Sequence, residues 1–295
     1  MLASAFSLLA AASWGLGDFA GGIATRLSNN FVAVLLSQGV GLLLAALLLL
    51  LVREPMPGTD ALALGGLAGV AGSLGLGCFY LALSRGTMGL VAPLTALLAA
   101  AWPAAIALLT GSAVSSLAMA GMAAALGAVV LISLPDRRLG RPVLPTYHGS
   151  RAREWLLILG ASLGFGGFFL LVDASRDAGG EVWWPLLMVK VAGVATVLLT
   201  ASLLAPMGRF PGFRLGTAAL LVGALAGIGD LGGNLFFVLA SVEGELALVI
   251  VLTSLYPVVT AILARIFLHE RLGRMRLLGV AAAILSVILI GLGSL

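Results

Sequence analysis

The chain has 295 residues, of which 61% are hydrophobic and only 9% are charged, with a net charge of +4 at pH 7. Soluble domains carry about 25% charged residues. A protein with this composition has too little polar surface to face water, so the chain is predicted to lie in a lipid bilayer. Its one cysteine, Cys78, excludes an intrachain disulfide and a cysteine-ligated metal cluster.

Ten apolar segments are each long enough to cross the roughly 30 Å hydrocarbon core of a membrane as a helix. The connections between them are short and rich in turn residues. The first segment has no basic start, so no cleavable signal peptide is predicted. In chain order the predicted spans are 2–24, 31–52, 61–84, 88–110, 115–134, 154–174, 182–204, 214–240, 244–268 and 273–293.

The second five spans repeat the first five. Residues 65–97 match residues 223–255 at a constant offset of 158, and the matches include Gly75 with Gly233. The same offset continues near the end of each half. Repetition over this length is typical of an architecture built from two copies of one unit.

Three regions follow from this repeat. Residues 1–134 form a first five-helix repeat, residues 135–153 a polar linker, and residues 154–295 a second five-helix repeat. Because each half has an odd number of spans, the two copies are predicted to cross the membrane in opposite directions. The predicted fold is therefore an all-α membrane protein with ten transmembrane helices in inverted-topology repeats, as in secondary transporters.

The arginines predict the orientation. Thirteen of the 15 lie at one set of span ends, whereas Arg53 and Arg176 lie at the other, and the only lysine, Lys190, is inside a span. The end rich in arginine should face the cytoplasm. The linker is then cytoplasmic and both termini are periplasmic. The positive charge reflects topology, and no nucleic-acid motif accompanies it.

Ionisable side chains within the spans are the first candidates for function, because a charge in the bilayer interior costs about 2.5–3.5 kcal/mol on insertion scales. Asp230 lies roughly 16 Å and Lys190 roughly 12 Å from the predicted outer surface, so the two can form an ion pair. Asn234 is one turn from Asp230 on the same face. Either the pair only joins two helices, or one member meets the substrate or a proton.

Two further carboxylates are less deep. Asp18 lies in a glycine-rich stretch that allows close helix packing. It either faces a ligand or pairs with Arg26 or another cytoplasmic arginine. Asp173 is near the end of its span beside Arg176 and is predicted to be a solvated interfacial group.

Aromatic residues and prolines predict the shape of a cavity. Trp102 and Tyr256 each precede a proline, which can kink a helix and free a carbonyl group. Such a ring is predicted to line a cavity, against the alternative of plain packing. Gln38 is also deep and must find an internal partner. The candidate substrate-binding residues are Trp14, Asp18, Gln38, Tyr80, Trp102, Lys190, Asp230, Asn234 and Tyr256.

Two segments resemble a known family. They are Trp14-Gly15-Leu16-Gly17-Asp18-Phe19 and Ser254-Leu255-Tyr256-Pro257-Val258-Val259-Thr260 with the following Leu268-His269-Glu270-Arg271-Leu272. They are similar to motifs of EamA-type members of the drug/metabolite transporter superfamily. The resemblance covers essentially the whole chain and implies an inner-membrane carrier, often an exporter, with a central cavity lined by the first four spans of each half. Asp18 departs from the pattern, since many members have an uncharged residue there.

The expected function is that of a secondary active transporter in the bacterial inner membrane. It would export small metabolites such as amino acids by alternating access, as a monomer, with protons as a further partner. No enzyme activity, cofactor or metal site is expected, because the histidines lack metal-ligand spacing and no phosphate-binding loop is present. The alternatives are proton-coupled export of lipophilic cationic drugs and a non-transporting scaffold or receptor.

The arginine distribution gives a direct test of topology. A cysteine at Ser150, in a background without Cys78, should resist an impermeant thiol reagent in intact cells and react after permeabilisation. A cysteine at Met56, between the second and third spans, is the matched control and should react in both conditions. Ready labelling at position 150 in intact cells would refute the orientation.

Overall fold

The computed structural model describes residues 2–85, 88–111, 114–133, 151–208, 210–212, 215–267 and 274–293. Most of the predicted linker, residues 135–153, therefore lies outside the described residues. Helices account for nearly all of the described chain, and no strand occurs among these residues.

The helices follow the predicted spans closely. Six helices, α1, α2, α3, α6, α7 and α8, are long and apolar enough to cross a membrane, and shorter apolar stretches lie in the others. The helices are α1 Leu2–Leu27, α2 Asn30–Val52, α3 Thr59–Arg85, α4 Met88–Leu109, α5 Ser116–Ser133, α6 Arg151–Asp177, α7 Trp183–Leu204, α8 Thr217–Glu243, α9 Leu246–Thr253, α10 Tyr256–Phe267 and α11 Arg274–Gly293. Only the predicted span 244–268 is divided between two of them.

The division of that span lies just before Pro257. A proline has no backbone N–H, so it cannot continue the ladder of helical hydrogen bonds. Tighter bonds cross the junction instead, from the N–H of Leu255 to the carbonyl of Leu252 at 3.2 Å and from Val258 to Leu255 at 2.9 Å. The result is a short break between α9 and α10 at Ser254 and Leu255.

The helices pack in pairs that recur between the two halves. The most extensive pairs are α1 with α8, α3 with α6, and α5 with α11, followed by α3 with α7, α2 with α8, and α2 with α7. The counterparts in the two halves are α1 and α6, α2 and α7, α3 and α8, and α5 and α11. If each helix is exchanged for its counterpart, α1–α8 becomes α6–α3, and α2–α8 becomes α7–α3. The pairs α2–α7 and α5–α11 are unchanged by the exchange.

Glycines allow the two equivalent crossings to be close. The ring of Trp14 in α1 lies against Gly233 of α8, where a β-carbon would clash with it. At the other crossing a β-carbon at Gly75 of α3 would stand 3.0 Å from the ring of Phe165 in α6. The two glycines are related by the sequence offset of 158, so the repeat brings an aromatic ring onto a glycine twice.

A carboxylate from the first half holds the start of α7. Glu54, in the α2–α3 connection, accepts hydrogen bonds from the backbone N–H groups of Val182, Trp183 and Trp184 at 2.9–3.1 Å. The indole N–H of Trp184 also donates to the carbonyl of Glu54 at 3.1 Å. These bonds satisfy N–H groups that have no partner within α7, and the negative charge suits a helix N-terminus. The contact joins the two halves at one end of the bundle.

The close crossing of α1 and α8 gives a stability prediction. A β-carbon at Gly229 would stand 2.7 Å from backbone atoms of Ser13 and Gly17, whereas one at Gly22 would meet nothing within 4 Å. Gly229→Ala should lower the free energy of unfolding by about 1–3 kcal/mol, because backbone atoms cannot move aside easily. Thermal unfolding in detergent measures this, with Gly22→Ala as the matched control. Equal melting temperatures for the two variants would contradict the packing described.

Candidate substrate site

A cavity of about 90 Å³ lies inside the bundle. Its walls come from both halves of the chain, namely from α1, α2, α3, α4, α6, α7, α8 and the α9–α10 break. The lining residues are Trp14, Asp18, Gln38, Gly69, Gly72, Ser73, Leu76, Ala96, Ala99, Phe165, Phe168, Phe169, Val189, Lys190, Asp230, Asn234, Ser254 and Tyr256.

The predicted ion pair is present on the wall of this cavity. The side chain of Lys190 is fully buried, and its Nζ donates to Oδ2 of Asp230, whose side chain is 24% exposed. The lysine reaches this position because α2 has a glycine opposite it. A β-carbon at Gly41 would stand 3.0 Å from Cε of Lys190. The ammonium group is thus buried and held at one place by the carboxylate of Asp230.

A second carboxylate is brought to the same place by two glycines of α1. A β-carbon at Gly15 would stand 2.6 Å from Val259 of α10, and one at Gly17 would stand 3.1 Å from the backbone nitrogen of Asp230. These close approaches bring Asp18 into the wall of the cavity that Asp230 also lines. The lining residues therefore carry two carboxylates and one ammonium group.

An indole and an amide form the neighbouring part of the wall. The Nε1–H group of Trp14 donates to Oδ1 of Asn234 at 3.0 Å. The Trp14 ring also contacts Phe168, Phe169 and Phe237, with centroid distances of 5.8–6.3 Å. Because Asn234 is buried and its oxygen is already bonded, its amide orientation is defined. This wall combines a rigid aromatic surface with a polar group beside the ion pair.

The break between α9 and α10 contributes the last polar groups. Ser254 ends α9 and Tyr256 begins α10, and both line the cavity. Pro257 therefore has the effect predicted from the sequence in this span. Pro103 in span four does not have this effect, because α4 continues from Met88 through Trp102 to Leu109 without a break.

Seven of the nine predicted site residues line this cavity. Trp102 is not among the lining residues. Its indole N–H donates to the carbonyl of Ser162 at 3.2 Å, and its ring lies against Gly166 of α6. The side chain of Tyr80 lies outside the described residues. The seven are Trp14, Asp18, Gln38, Lys190, Asp230, Asn234 and Tyr256.

Two expectations about polar groups need correction. The side-chain carbonyl oxygen of Gln38 has no hydrogen-bond partner in the described part of the chain, although the residue is buried. Asp173 pairs with Arg176 at 3.4 Å, and its side chain is only 16% exposed. It lines a separate cavity of about 850 Å³ between the ends of α1, α4, α6, α8 and α9.

Sequence reasoning missed the residues that face the cavity from α3 and α6. Ser73 and the phenylalanines 165, 168 and 169 are the main ones. The repeat offered a signal for part of this wall. The offset of 158 relates Asp230 to Gly72 and Asn234 to Leu76, and both counterparts line the cavity. No comparable signal distinguishes the three phenylalanines from others in apolar helices.

The ion pair predicts a specific order of stabilities. Asp230→Asn leaves a fully buried ammonium group and should lower the free energy of unfolding by roughly 3 kcal/mol, the lower end of the range for a broken buried pair, since asparagine keeps an acceptor oxygen. Lys190→Met should cost less, because Asp230 is partly exposed to the cavity. The double variant should recover most of the loss. Thermal unfolding of all three tests this, and a double variant less stable than both single ones would contradict the pairing.

Comparison with known proteins agrees with this arrangement. One matching solved structure, titled "Crystal structure of protein", has 18% sequence identity, covers 98% of both chains and gives a TM-score of 0.73. This likeness shows a shared fold. No curated protein matches the sequence. Residues 153–292 match the family described as the EamA-like transporter family. This match agrees with the resemblance found in the sequence and is consistent with the drug/metabolite transporter superfamily.

Proposed function

We propose that the protein is a secondary active transporter of the bacterial inner membrane that exports small zwitterionic metabolites, amino acids among them. The observation that carries this proposal is the fully buried Lys190, paired with Asp230 on the wall of an internal cavity. The apolar helices and the match of residues 153–292 to the EamA-like transporter family also support a transporter.

The ion pair suits a zwitterion for a physical reason. In the empty cavity Lys190 and Asp230 neutralise each other, so neither charge is left alone at low dielectric. A zwitterion brings one ammonium and one carboxylate group. It can separate the pair and provide a new partner for each member, while the total charge of the cavity is unchanged. A ligand with a single charge would leave one member of the pair without a partner.

Nearby groups favour one orientation of such a ligand. Its ammonium group would face Asp18 and Asp230, the two carboxylates that line the cavity. Its carboxylate would face Lys190. The rest of the molecule would lie against the apolar wall formed by Trp14, Phe168 and Phe169.

Alternating access is supported by the size and position of the cavities. The central space of about 90 Å³ is only about three times the roughly 30 Å³ that one water molecule takes in the liquid, so the helices must separate to admit a substrate. A cavity of about 850 Å³ lies at the ends of the helices predicted to be periplasmic. Another of about 690 Å³ lies between α2, α3, α6 and α7 towards the opposite ends, and it shares Ser73 with the central cavity.

The recurring helix pairs support an inverted repeat as the basis of this movement. The pair α1–α8 and the pair α3–α6 are equivalent, because each becomes the other when the two halves are exchanged. Each half can therefore adopt the arrangement of the other, which opens the cavity to the opposite side of the membrane. A scaffold or receptor needs neither this equivalence nor a buried ion pair.

Asp18 favours a second candidate function, the proton-coupled export of lipophilic cations. It adds a second carboxylate to the cavity, so the lining residues carry more negative than positive charge when all are ionised. A carboxylate at this position can exchange a proton for a cationic substrate. The dependence of transport on a pH gradient and the effect of Asp18→Asn distinguish this candidate from the first.

The proposal predicts the effect of neutralising Asp230. Proteoliposomes containing the protein should take up labelled neutral amino acids, and Asp230→Asn should reduce this uptake to the level of empty liposomes. The double variant Asp230→Asn/Lys190→Met should remain inactive although its stability is largely recovered, which separates transport from folding. Asp60→Asn, at the exposed start of α3, is the matched control and should transport normally.

Two results would count against the proposal. Normal uptake by Asp230→Asn would remove Asp230 from the mechanism and leave Asp18 as the better carboxylate. Uptake of cationic dyes but of no amino acid by the unaltered protein, dependent on a pH gradient, would favour the second candidate.

A further inference from the structure

Two buried oxygen atoms in the central cavity have no hydrogen-bond partner in the described part of the chain. They are Oε1 of Gln38 on α2 and Oγ of Ser73 on α3. Both residues are more than nine-tenths buried, with 6% and 5% exposure, and both line the cavity. A buried polar group without a partner costs about 1–3 kcal/mol. Because both oxygens line the cavity, a ligand bound there can supply the missing bonds.

The two oxygens are close to each other because α7 has a glycine beside them. A β-carbon at Gly193 would stand 2.9 Å from Oγ of Ser73 and 3.0 Å from Oε1 of Gln38. The contact between Gln38 and Gly193 mirrors the contact that Lys190, one turn earlier on α7, makes with α2. Lys190 occupies the space beside Gly41 of α2, and Gln38, one turn before Gly41, occupies the space beside Gly193.

This mirrored contact shows that the cavity has two chemically different ends. At one end Lys190 meets Asp230. In the mirrored contact Gln38 lies beside Gly193, and Gly72 on α3 is the counterpart of Asp230 at the offset of 158. In each pair of equivalent positions, the charged residue is therefore the one on α7 or α8. The opposite side is apolar except for Gln38 and Ser73.

We propose that Gln38 and Ser73 form a neutral subsite that accepts a hydrogen bond from an uncharged donor on the substrate side chain. The substrate class is then a small zwitterion with a hydroxyl or amide side chain. This inference rests on the proposed function and extends it, because the ion pair explains only how the two charged groups of the ligand are bound. The subsite explains which side chain is selected.

A cation is a poor occupant of this subsite. Gln38 and Ser73 provide two oxygen ligands, whereas hard metal ions such as Ca²⁺ take six to eight. The positively charged Lys190 is one helical turn from Gly193, which also disfavours an ammonium group. An uncharged N–H or O–H donor satisfies the acceptor oxygen of Gln38 without adding charge to a buried site.

Isosteric amino acids test the proposal. L-threonine and L-valine have nearly the same shape, as do L-asparagine and L-leucine, but only the first of each pair has a side-chain donor. The measurement is the half-saturating concentration of each labelled amino acid for uptake into proteoliposomes. The expected value for the donor-bearing member of at least one pair is roughly tenfold lower, the change that one hydrogen bond gives.

Variants attribute this preference to the subsite. Ser73→Ala and Gln38→Leu should reduce the preference to within about twofold by weakening uptake of the donor-bearing member alone. Thr95→Val is a matched control, because Thr95 is also a buried hydroxyl without a hydrogen-bond partner for its Oγ1 but does not line the cavity. It should keep the preference. Ser73→Ala should not lower the melting temperature, since the hydroxyl it removes bonds to nothing described.

The possible outcomes separate this inference from the proposed function. Uptake of both members of each pair with equal half-saturating concentrations would overturn the subsite and leave the carrier intact. A preference that persists in Ser73→Ala and Gln38→Leu would also overturn it. A lower melting temperature with equal weakening for both members would show a structural role only. Failure of the unaltered, folded protein to take up any of the four amino acids would contradict the proposed substrate class itself.

Discussion

A single ammonium group buried inside a membrane protein constrains the rest of this structure. Lys190 is the only lysine in the chain, and none of its side chain reaches solvent. Such a charge requires an opposite charge at hydrogen-bond distance, which Asp230 provides. It also requires space for its long aliphatic chain, which Gly41 leaves on α2. The relative positions of α2, α7 and α8 therefore depend on one interaction.

The same interaction explains why the two halves differ although their packing is similar. A charge that is neutralised once needs no second copy in the other repeat. The equivalent side has Gln38 and Gly72, and it has Leu76 where the other half has Asn234. The repeat thus provides matching helix crossings, whereas divergence provides a cavity with a charged end and an apolar end. A substrate with different chemical groups at its two ends is oriented by such a cavity.

Much of the fold could be predicted from the sequence because the lipid environment requires long apolar helices. Proline 257 also indicated the break beside Tyr256. The cavity was harder to predict, because helices that are apolar all round give no periodic signal for which face is inside. Trp14 and Trp102 illustrate the difficulty. Both lie within predicted spans, but one borders the ion pair and the other lies against Gly166. The depth of Asp230 and Lys190 along their helices could be estimated from the sequence. Whether Trp102 and Ser73 face the cavity depends on the rotation of each helix about its axis, which the sequence does not indicate.

In the proposed mechanism, a zwitterionic substrate separates Lys190 from Asp230 by providing a partner for each. Because the chain has one lysine, isotopic labelling of lysine places a single side-chain nitrogen probe in the protein. Solid-state magnetic resonance in lipid bilayers can then measure the coupling between Nζ of Lys190 and the carboxylate carbon of Asp230. We expect a strong coupling in the empty protein and its loss when saturating L-threonine is added, with a shift of the nitrogen signal. An unchanged coupling under conditions in which L-threonine is transported would contradict the exchange of partners.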